Sequence, residues 1–122
     1  MGARVLIVDD EPLVATALAR ALRHLGCHVE AHTNPKEALE RLGAASPEVV
    51  FSDLHMPTMR GTLFLGEVRR VCPEASRGLV SALVDDVSET EWAMVRPCSV
   101  IGKPWTEEEL EAALQWKENT SK

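Results

Sequence analysis

Asp9, Asp10, Asp53, Ser81 and Lys103 are the residues of this chain whose types and spacing could do chemistry together. Each comes at the end of a short apolar run: Val5-Leu6-Ile7-Val8 before the acid pair, Val49-Val50-Phe51 before Asp53, Leu79-Val80 before Ser81, and Val100-Ile101 before Lys103. Taken alone, each has an ordinary explanation. A pair of acids commonly opens a helix, and a serine at a strand end is usually a hydroxyl with a local partner. Together on one rim they read differently. Carboxylates about 4 Å apart repel by roughly 4 kcal/mol per pair at an effective dielectric near 20. A hard divalent cation removes that repulsion, and Mg2+ (or Mn2+ in its place) accepts one or two carboxylates while keeping waters and a phosphoryl oxygen. A carboxylate beside such a cation is placed to attack phosphorus, and an ammonium and a hydroxyl can hold the remaining phosphoryl oxygens. Positioning and charge neutralisation of this kind are most of what phosphoryl transfer requires.

The elements that must bring these residues together are legible as an alternation. Arg4–Val8 is a β-branched and Leu run without polar interruption, the pattern of a strand covered on both faces. Pro12 suits the first turn of a helix whose apolar face is expected at Leu13, Val14, Ala17, Leu18, Ala21, Leu22 and Leu25, with Gly26 as a left-handed cap. His28–Thr33 alternates polar and apolar, as an edge strand does. Asn34-Pro35-Lys36-Glu37 opens a second helix that carries Ala38, Leu39 and Leu42 inward and is expected to stop at Gly43. The run ending at Asp53 is followed by Pro57, Gly61 and a helix bearing Phe64, Val68 and Val71. A fourth strand is expected at Leu79–Ala82, followed by the acid pair Asp85-Asp86. A short helix at Ser88–Val95 starts with a capping box, and a fifth strand covers Ser99–Gly102. Thr106-Glu107-Glu108-Glu109 opens the last helix, with Leu110, Ala113 and Leu114 inward. The predicted fold is therefore α/β: a doubly wound (βα)5 three-layer sandwich around a parallel sheet with right-handed crossovers. Ligands of such folds bind beyond the carboxyl ends of the strands, where the candidate residues lie.

Composition narrows the function classes. A net charge of -6 and a pI near 5.2, with basic residues scattered, argue against a nucleic-acid surface. No apolar run approaches a membrane span, and Met1-Gly2-Ala3-Arg4 lacks the apolar core of a signal peptide. Cys27, Cys72 and Cys98 are odd in number without C-x-x-C spacing, and read as inert thiols in a reducing cytoplasm. His24, His28, His32 and His55 are expected to be solvated rather than clustered on a metal. Trp92, Trp105 and Trp116 read as packing residues, with a docking surface as the alternative. Residues 1–117 form the expected domain and 118–122 a polar tail or the start of a linker.

Val5-Leu6-Ile7-Val8-Asp9-Asp10-Glu11-Pro12, Asp53-Leu54-His55-Met56-Pro57, Ser81-Ala82 and Lys103-Pro104-Trp105 resemble the signatures of two-component response-regulator receiver domains. The resemblance runs from about Arg4 to Leu114. It implies the flavodoxin-like strand order 2-1-3-4-5. It also implies phosphorylation of Asp53 by a histidine kinase or phosphotransfer protein, with Mg2+ bound by Asp10, by Asp9 largely through water, by Asp53 and by the His55 backbone carbonyl. Lys103 is implied to pair with the phosphoryl group and Ser81 to move toward it, and the Lys103-Pro104 bond is implied to be cis. The output partner or domain would be met through the last two helices and the last strand, or through a homodimer. Nucleic acid would not be bound directly, and the domain would not be an enzyme beyond promoting its own phosphorylation and dephosphorylation.

One departure bears on the output. Three residues before the lysine the family commonly has Tyr or Phe, whereas this chain has Val100 and no Tyr anywhere. Two other readings are weighed against the phosphoacceptor. A degenerate receiver would serve only as a protein-interaction module, which the full acidic set and Lys103 oppose. A Mg2+-dependent aspartyl-phosphate phosphatase would need a second acid two residues after the nucleophile, where His55 stands, and a cap region the chain lacks. His55 itself is a candidate to overhang the site and tune the lifetime of the phosphate.

Overall fold

The computed structural model describes residues 2–82 and 86–120, with side chains as far as residue 115. Asp85, the Trp116 side chain, the side chains of the predicted polar tail and the backbone of its last two residues therefore lie outside the described residues. The elements alternate: β1 (Arg4–Val8), α1 (Pro12–His24), β2 (His28–His32), α2 (Pro35–Ala45), β3 (Val49–Asp53), α3 (Gly61–Val71), β4 (Ser76–Val80), α4 (Glu89–Val95), β5 (Cys98–Ile101) and α5 (Glu107–Thr120). The five strands form one parallel sheet in the order β2-β1-β3-β4-β5. This is the doubly wound arrangement the alternation predicted, and β2 lies at an edge as its pattern required.

Period-two alternation divides the sheet's side chains between two cores. Leu6, Val8, Val50, Leu54 and Leu79 face Ala38, Leu42, Phe64, Leu65, Val68 and Val95, so α2, α3 and α4 cover one side. Val5, Ile7, Val49, Phe51, Val80 and Ile101 face Leu18, Leu22, Leu110 and Ala113, so α1 and α5 cover the other. Leu6 and Ile7 are both fully buried, the two-sided burial expected of an uninterrupted apolar strand.

Several local expectations are corrected. The buried stripe of α1 is Ala15, Leu18, Ala19 and Leu22, while Leu13 is 86% exposed. At 100° per residue, Leu13 lies about half a turn from Ala15 and points away from the sheet. Helix α2 runs past Gly43 to Ala45 and ends on Ser46 in the left-handed conformation (φ 48°). Val71 is exposed, and Leu65 takes the inward place beside Phe64 and Val68. Strand β5 is Cys98–Ile101, and the backbone of α5 continues to Thr120, into the predicted tail.

The largest difference is β4, which begins at Ser76 and ends at Val80, so Ser81 stands just beyond the paired residues. Arg77 and Gly78 hide the start of this strand from a hydropathy reading. Arg77 is nevertheless buried, because its guanidinium donates to the carbonyls of Val95 (3.0 Å), Ala75 (3.0 Å), Pro97 (3.4 Å) and Arg96 (3.5 Å). A buried charge needs such partners to be tolerated.

Candidate functional site

Four strands deliver the site. β1 carries Asp9 and Asp10 past its carboxyl end, and Asp9 is held by its backbone N–H donating to the His32 carbonyl at 3.1 Å. The Asp9 carboxylate accepts from the Glu11 backbone N–H at 3.0 Å, which fixes the turn into α1. β3 ends on Asp53 itself. Ser81 is buried, and its N–H donates to the Ile101 carbonyl at 3.0 Å, so the residue after β4 is tied to the strand preceding Lys103. The Lys103-Pro104 bond is cis, as the resemblance implied, and so is Arg96-Pro97.

The acids converge. Carboxylate oxygens of Asp9, Asp10 and Asp53 lie within 4.8 Å of one another. Lys103 Nζ donates to Asp9 Oδ2 and to Asp53 Oδ1, each at 2.9 Å. Asp9 and Asp53 are buried, and the Lys103 side chain is 22% exposed. Burial pushes the Asp53 carboxyl above its usual range; the Lys103 hydrogen bond opposes this, and the neighbouring Asp9 and Asp10 charges add to it. For Lys103, burial pulls the ammonium down, but hydrogen bonds and charges from Asp9 and Asp53 outweigh it and the pKa is raised. The ammonium is thus the internal counter-ion of an acidic cluster with residual repulsion. An all-oxygen donor set under that strain fits a hard divalent cation such as Mg2+.

Gly61 closes the far side of this loop. Its N–H donates to the Leu54 carbonyl at 2.8 Å, and a Cβ there would come 2.1 Å from the Asp53 carbonyl oxygen. Only glycine permits that approach.

His55 is exposed, and its ring Nε2 lies 2.8 Å from Asp86 Oδ2. Asp86 also pairs with Arg60 Nη1 at 3.5 Å, and Arg60 Nη2 donates to the Asp86 carbonyl at 2.8 Å. Arg60 Nε in turn donates to Glu91 Oε2, which also accepts from the Thr62 hydroxyl at 2.6 Å. Glu91 closes the predicted capping box of α4 with Ser88. Hydrogen bonds from Arg60 first, then from the Ser88 backbone and Thr62, hold the Glu91 carboxyl down to about 2. This network joins the loop after Asp53 to the start of α4. The sequence reading found Glu91 only as a capping residue and did not single out Arg60, whose one signal is a guanidinium placed immediately before a helix.

Of the remaining histidines, His24 lies 3.7 Å from Glu107, His28 is exposed, and His32 pairs with Glu30 at 2.7 Å. The three cysteines are free. Trp92 and Trp105 are half-buried. Val100 is 44% exposed.

A parallel sheet in this order, with an acidic trio and a lysine at its carboxyl rim, defines the receiver class of phosphoacceptor folds. The family model described as "Response regulator receiver domain" matches residues 5–115, and the chain belongs to that family, in which phosphorylation and Mg2+ are typical. The chemotaxis protein CheY of Thermotoga maritima is 30% identical over 115 residues, covering 93% of this chain and 96% of that protein. The solved structure of Vibrio cholerae chemotaxis protein CheY4 superposes with a TM-score of 0.84 at 27% identity, over 94% of this chain and 98% of the other. Other relatives are longer. The chain spans 45% of the positive alginate biosynthesis regulatory protein of Pseudomonas aeruginosa, at 34% identity over 115 residues. It spans 20% of a protein-glutamate methylesterase/protein-glutamine glutaminase of Anaeromyxobacter dehalogenans, at 37% identity over 68 residues. No described helix is long and apolar enough to cross a membrane.

Proposed function

We propose that this domain accepts a phosphoryl group on Asp53 from a histidine kinase or phosphotransfer protein and thereby switches an output domain or partner. The observation that carries this is the convergence of Asp9, Asp10 and Asp53 on Lys103, which bridges two of the three acids at 2.9 Å. Asp10 and Asp53, Asp9 through water and the His55 backbone carbonyl would hold Mg2+, or Mn2+ in its place. The ion supplies charge neutralisation for the phosphoryl oxygens when bound. An Asp53 carboxylate oxygen forms the new bond to phosphorus as the bond from phosphorus to the donor's imidazole nitrogen breaks. Lys103, already within hydrogen-bond reach of Asp53, holds a phosphoryl oxygen. Ser81 moves to donate its hydroxyl to another.

The phosphorylated domain acts by binding rather than catalysis, in the cytoplasm, through α4, β5 and α5 or as a homodimer. The exposed Val100 borders a cleft of about 330 Å³ with Cys98, Ser99, Glu109 and Ala112, which supports a docking role for that face. In this reading residues 1–117 constitute the receiver unit and 118–122 a tail or linker, whose first residues continue the backbone of α5. The test is incubation with Mg2+ and acetyl phosphate, followed by intact mass. An acid-labile phosphoryl adduct that is absent from Asp53→Asn is expected. No adduct leaves the interaction-module reading, and one that persists in that variant puts the phosphoryl group on another residue; either outcome refutes the proposal.

A further inference from the structure

Helix α4 is held at both ends by arginines from neighbouring elements, and the two ends differ. At its carboxyl end, Arg77 donates to the carbonyls of Val95, Arg96 and Pro97, and Arg69 donates to those of Ala93 (3.2 Å) and Met94 (3.3 Å). Arg77 is only 4% exposed, so this end is anchored into the core beside the fully buried Val95. At the amino end the hold is peripheral. Glu91 receives Arg60 and Thr62, and Asp86 links Arg60 to His55. The Arg60, Asp86 and His55 side chains are 34%, 58% and 49% exposed, whereas Glu91 is 19% exposed and Thr62 is buried, so solvent competes for this network from the Arg60, Asp86 and His55 side.

The peripheral end also touches the phosphoacceptor loop. Arg60 precedes Gly61, whose backbone lies against the Asp53 carbonyl and bonds Leu54. A shift in the Asp53 backbone is therefore passed to Arg60 across one peptide unit. Val100, exposed and without a ring or hydroxyl, offers no comparable link.

We infer that Arg60–Glu91 is a latch that holds the first turn of α4 in the unphosphorylated state, and that α4 pivots about its Arg77-anchored carboxyl end when the latch opens. This rests on the phosphoacceptor reading of Asp53. Opening is the bistable step that phosphorylation biases; the two states differ in whether Glu91 belongs to Arg60 and Thr62 or only to its own capping box. Because coupling between sites is reciprocal, a broken latch must also favour the phosphorylated conformation at Asp53.

Arg60→Met removes the latch and leaves the capping box whole. Glu91→Gln keeps a capping-box side chain but loses the charge that Arg60 grips. Arg41→Met, which deletes the surface ion pair with Glu30, is the control. Affinity for beryllofluoride in Mg2+ is measured by calorimetry, and hydrogen exchange is followed across residues 87–97. Both latch variants are expected to bind beryllofluoride about fivefold more tightly than wild type, the low end of typical allosteric coupling. Without ligand, their first-turn α4 amides are expected to exchange as fast as those of ligand-bound wild type. Protection at Val95 and Arg96 and the behaviour of Arg41→Met are expected to stay unchanged. Wild-type binding with affinity and exchange unaltered in both latch variants overturns the latch while leaving the phosphoacceptor standing. Failure of wild type to bind beryllofluoride removes both.

Discussion

Lys103→Met separates the two cations that can balance the acidic rim. Each Lys103 contact, at 2.9 Å, corresponds to a gross attraction of about 6 kcal/mol at an effective dielectric near 20, before the desolvation that opposes it. Truncating one partner of a buried pair costs roughly 3–5 kcal/mol. Lys103 keeps 22% of its side chain in solvent, so the cost falls at or just below the bottom of that range, about 2–3 kcal/mol. For a domain of this size, that is a fall in Tm of roughly 10 °C in EDTA.

The same deletion changes what Mg2+ does. In the variant, carboxylates within 4.8 Å of one another face each other uncompensated, with a repulsion of at least about 3 kcal/mol per pair. A divalent cation then relieves more strain than in wild type and no longer meets an ammonium beside it. The Mg2+ dissociation constant should tighten by about tenfold, equivalent to ~1.4 kcal/mol. The Mg2+-induced rise in Tm should correspondingly exceed that of wild type by several degrees. Differential scanning calorimetry in EDTA and across a Mg2+ series measures both quantities. A variant as stable as wild type in EDTA, or one destabilised without any gain in Mg2+ response, refutes the view that ammonium and metal ion neutralise the same charges.

Three further outcomes rest on named contacts. Glu91 has its pKa lowered from 4.5 to about 2, so its share of stability is present above the unfolded value and is lost as pH falls through the folded one; the difference in Tm between wild type and Glu91→Gln should be full above about pH 5 and close as pH falls from 4.5 toward 2. Arg77→Met should cost about 2–4 kcal/mol in urea unfolding, because the α4 carboxyl-end carbonyls lose charged donors; Arg77→Lys should recover little, since an ammonium cannot reproduce the guanidinium fork. His55→Ala should change the dephosphorylation rate of the Asp53 adduct, read by phosphate release after donor removal; an unchanged rate would show that the ring, held by Asp86, does not act on the phosphate.

Hydropathy period and strand-end chemistry made most of the fold legible in the sequence. β1 and β3 were readable because uninterrupted apolar runs ended on acids, and β2 because its alternation marked an edge. The candidate residues Asp9, Asp10, Asp53 and Lys103 were readable for the same reason: the topology leaves one place for residues that come directly after parallel strands. Ser81 was legible in kind but not in position, since it stands after the strand rather than within it. β4 was half hidden because a buried arginine looks like a surface residue until its carbonyl partners are known. The α1 stripe was misread because seven apolar positions cover too wide an arc for periodicity to say which flank faces the sheet. Arg60, Asp86 and Glu91 come from three separate segments, and no spacing rule connects them.

The uneven support of α4 bears on where a signal can leave the domain. In the phosphoacceptor reading, movement at Asp53 can pass through Gly61 and Arg60, which meet the first turn of that helix at Glu91. The carboxyl end is tied to β4 by Arg77 and followed by β5, whose backbone is locked in register from Arg77–Cys98 to Val80–Ile101. Displacement there would break buried, charge-assisted hydrogen bonds rooted in the core, whereas displacement at the amino end breaks part-buried bonds of Glu91 and the exposed contacts of Asp86 and His55, which solvent can replace. The cheaper motion is therefore a swing of Ser88, Glu89 and Glu91. With an Arg60–Glu91 latch, a partner senses phosphorylation at that turn, and the aromatic missing at Val100 is not needed for the switch to have two states.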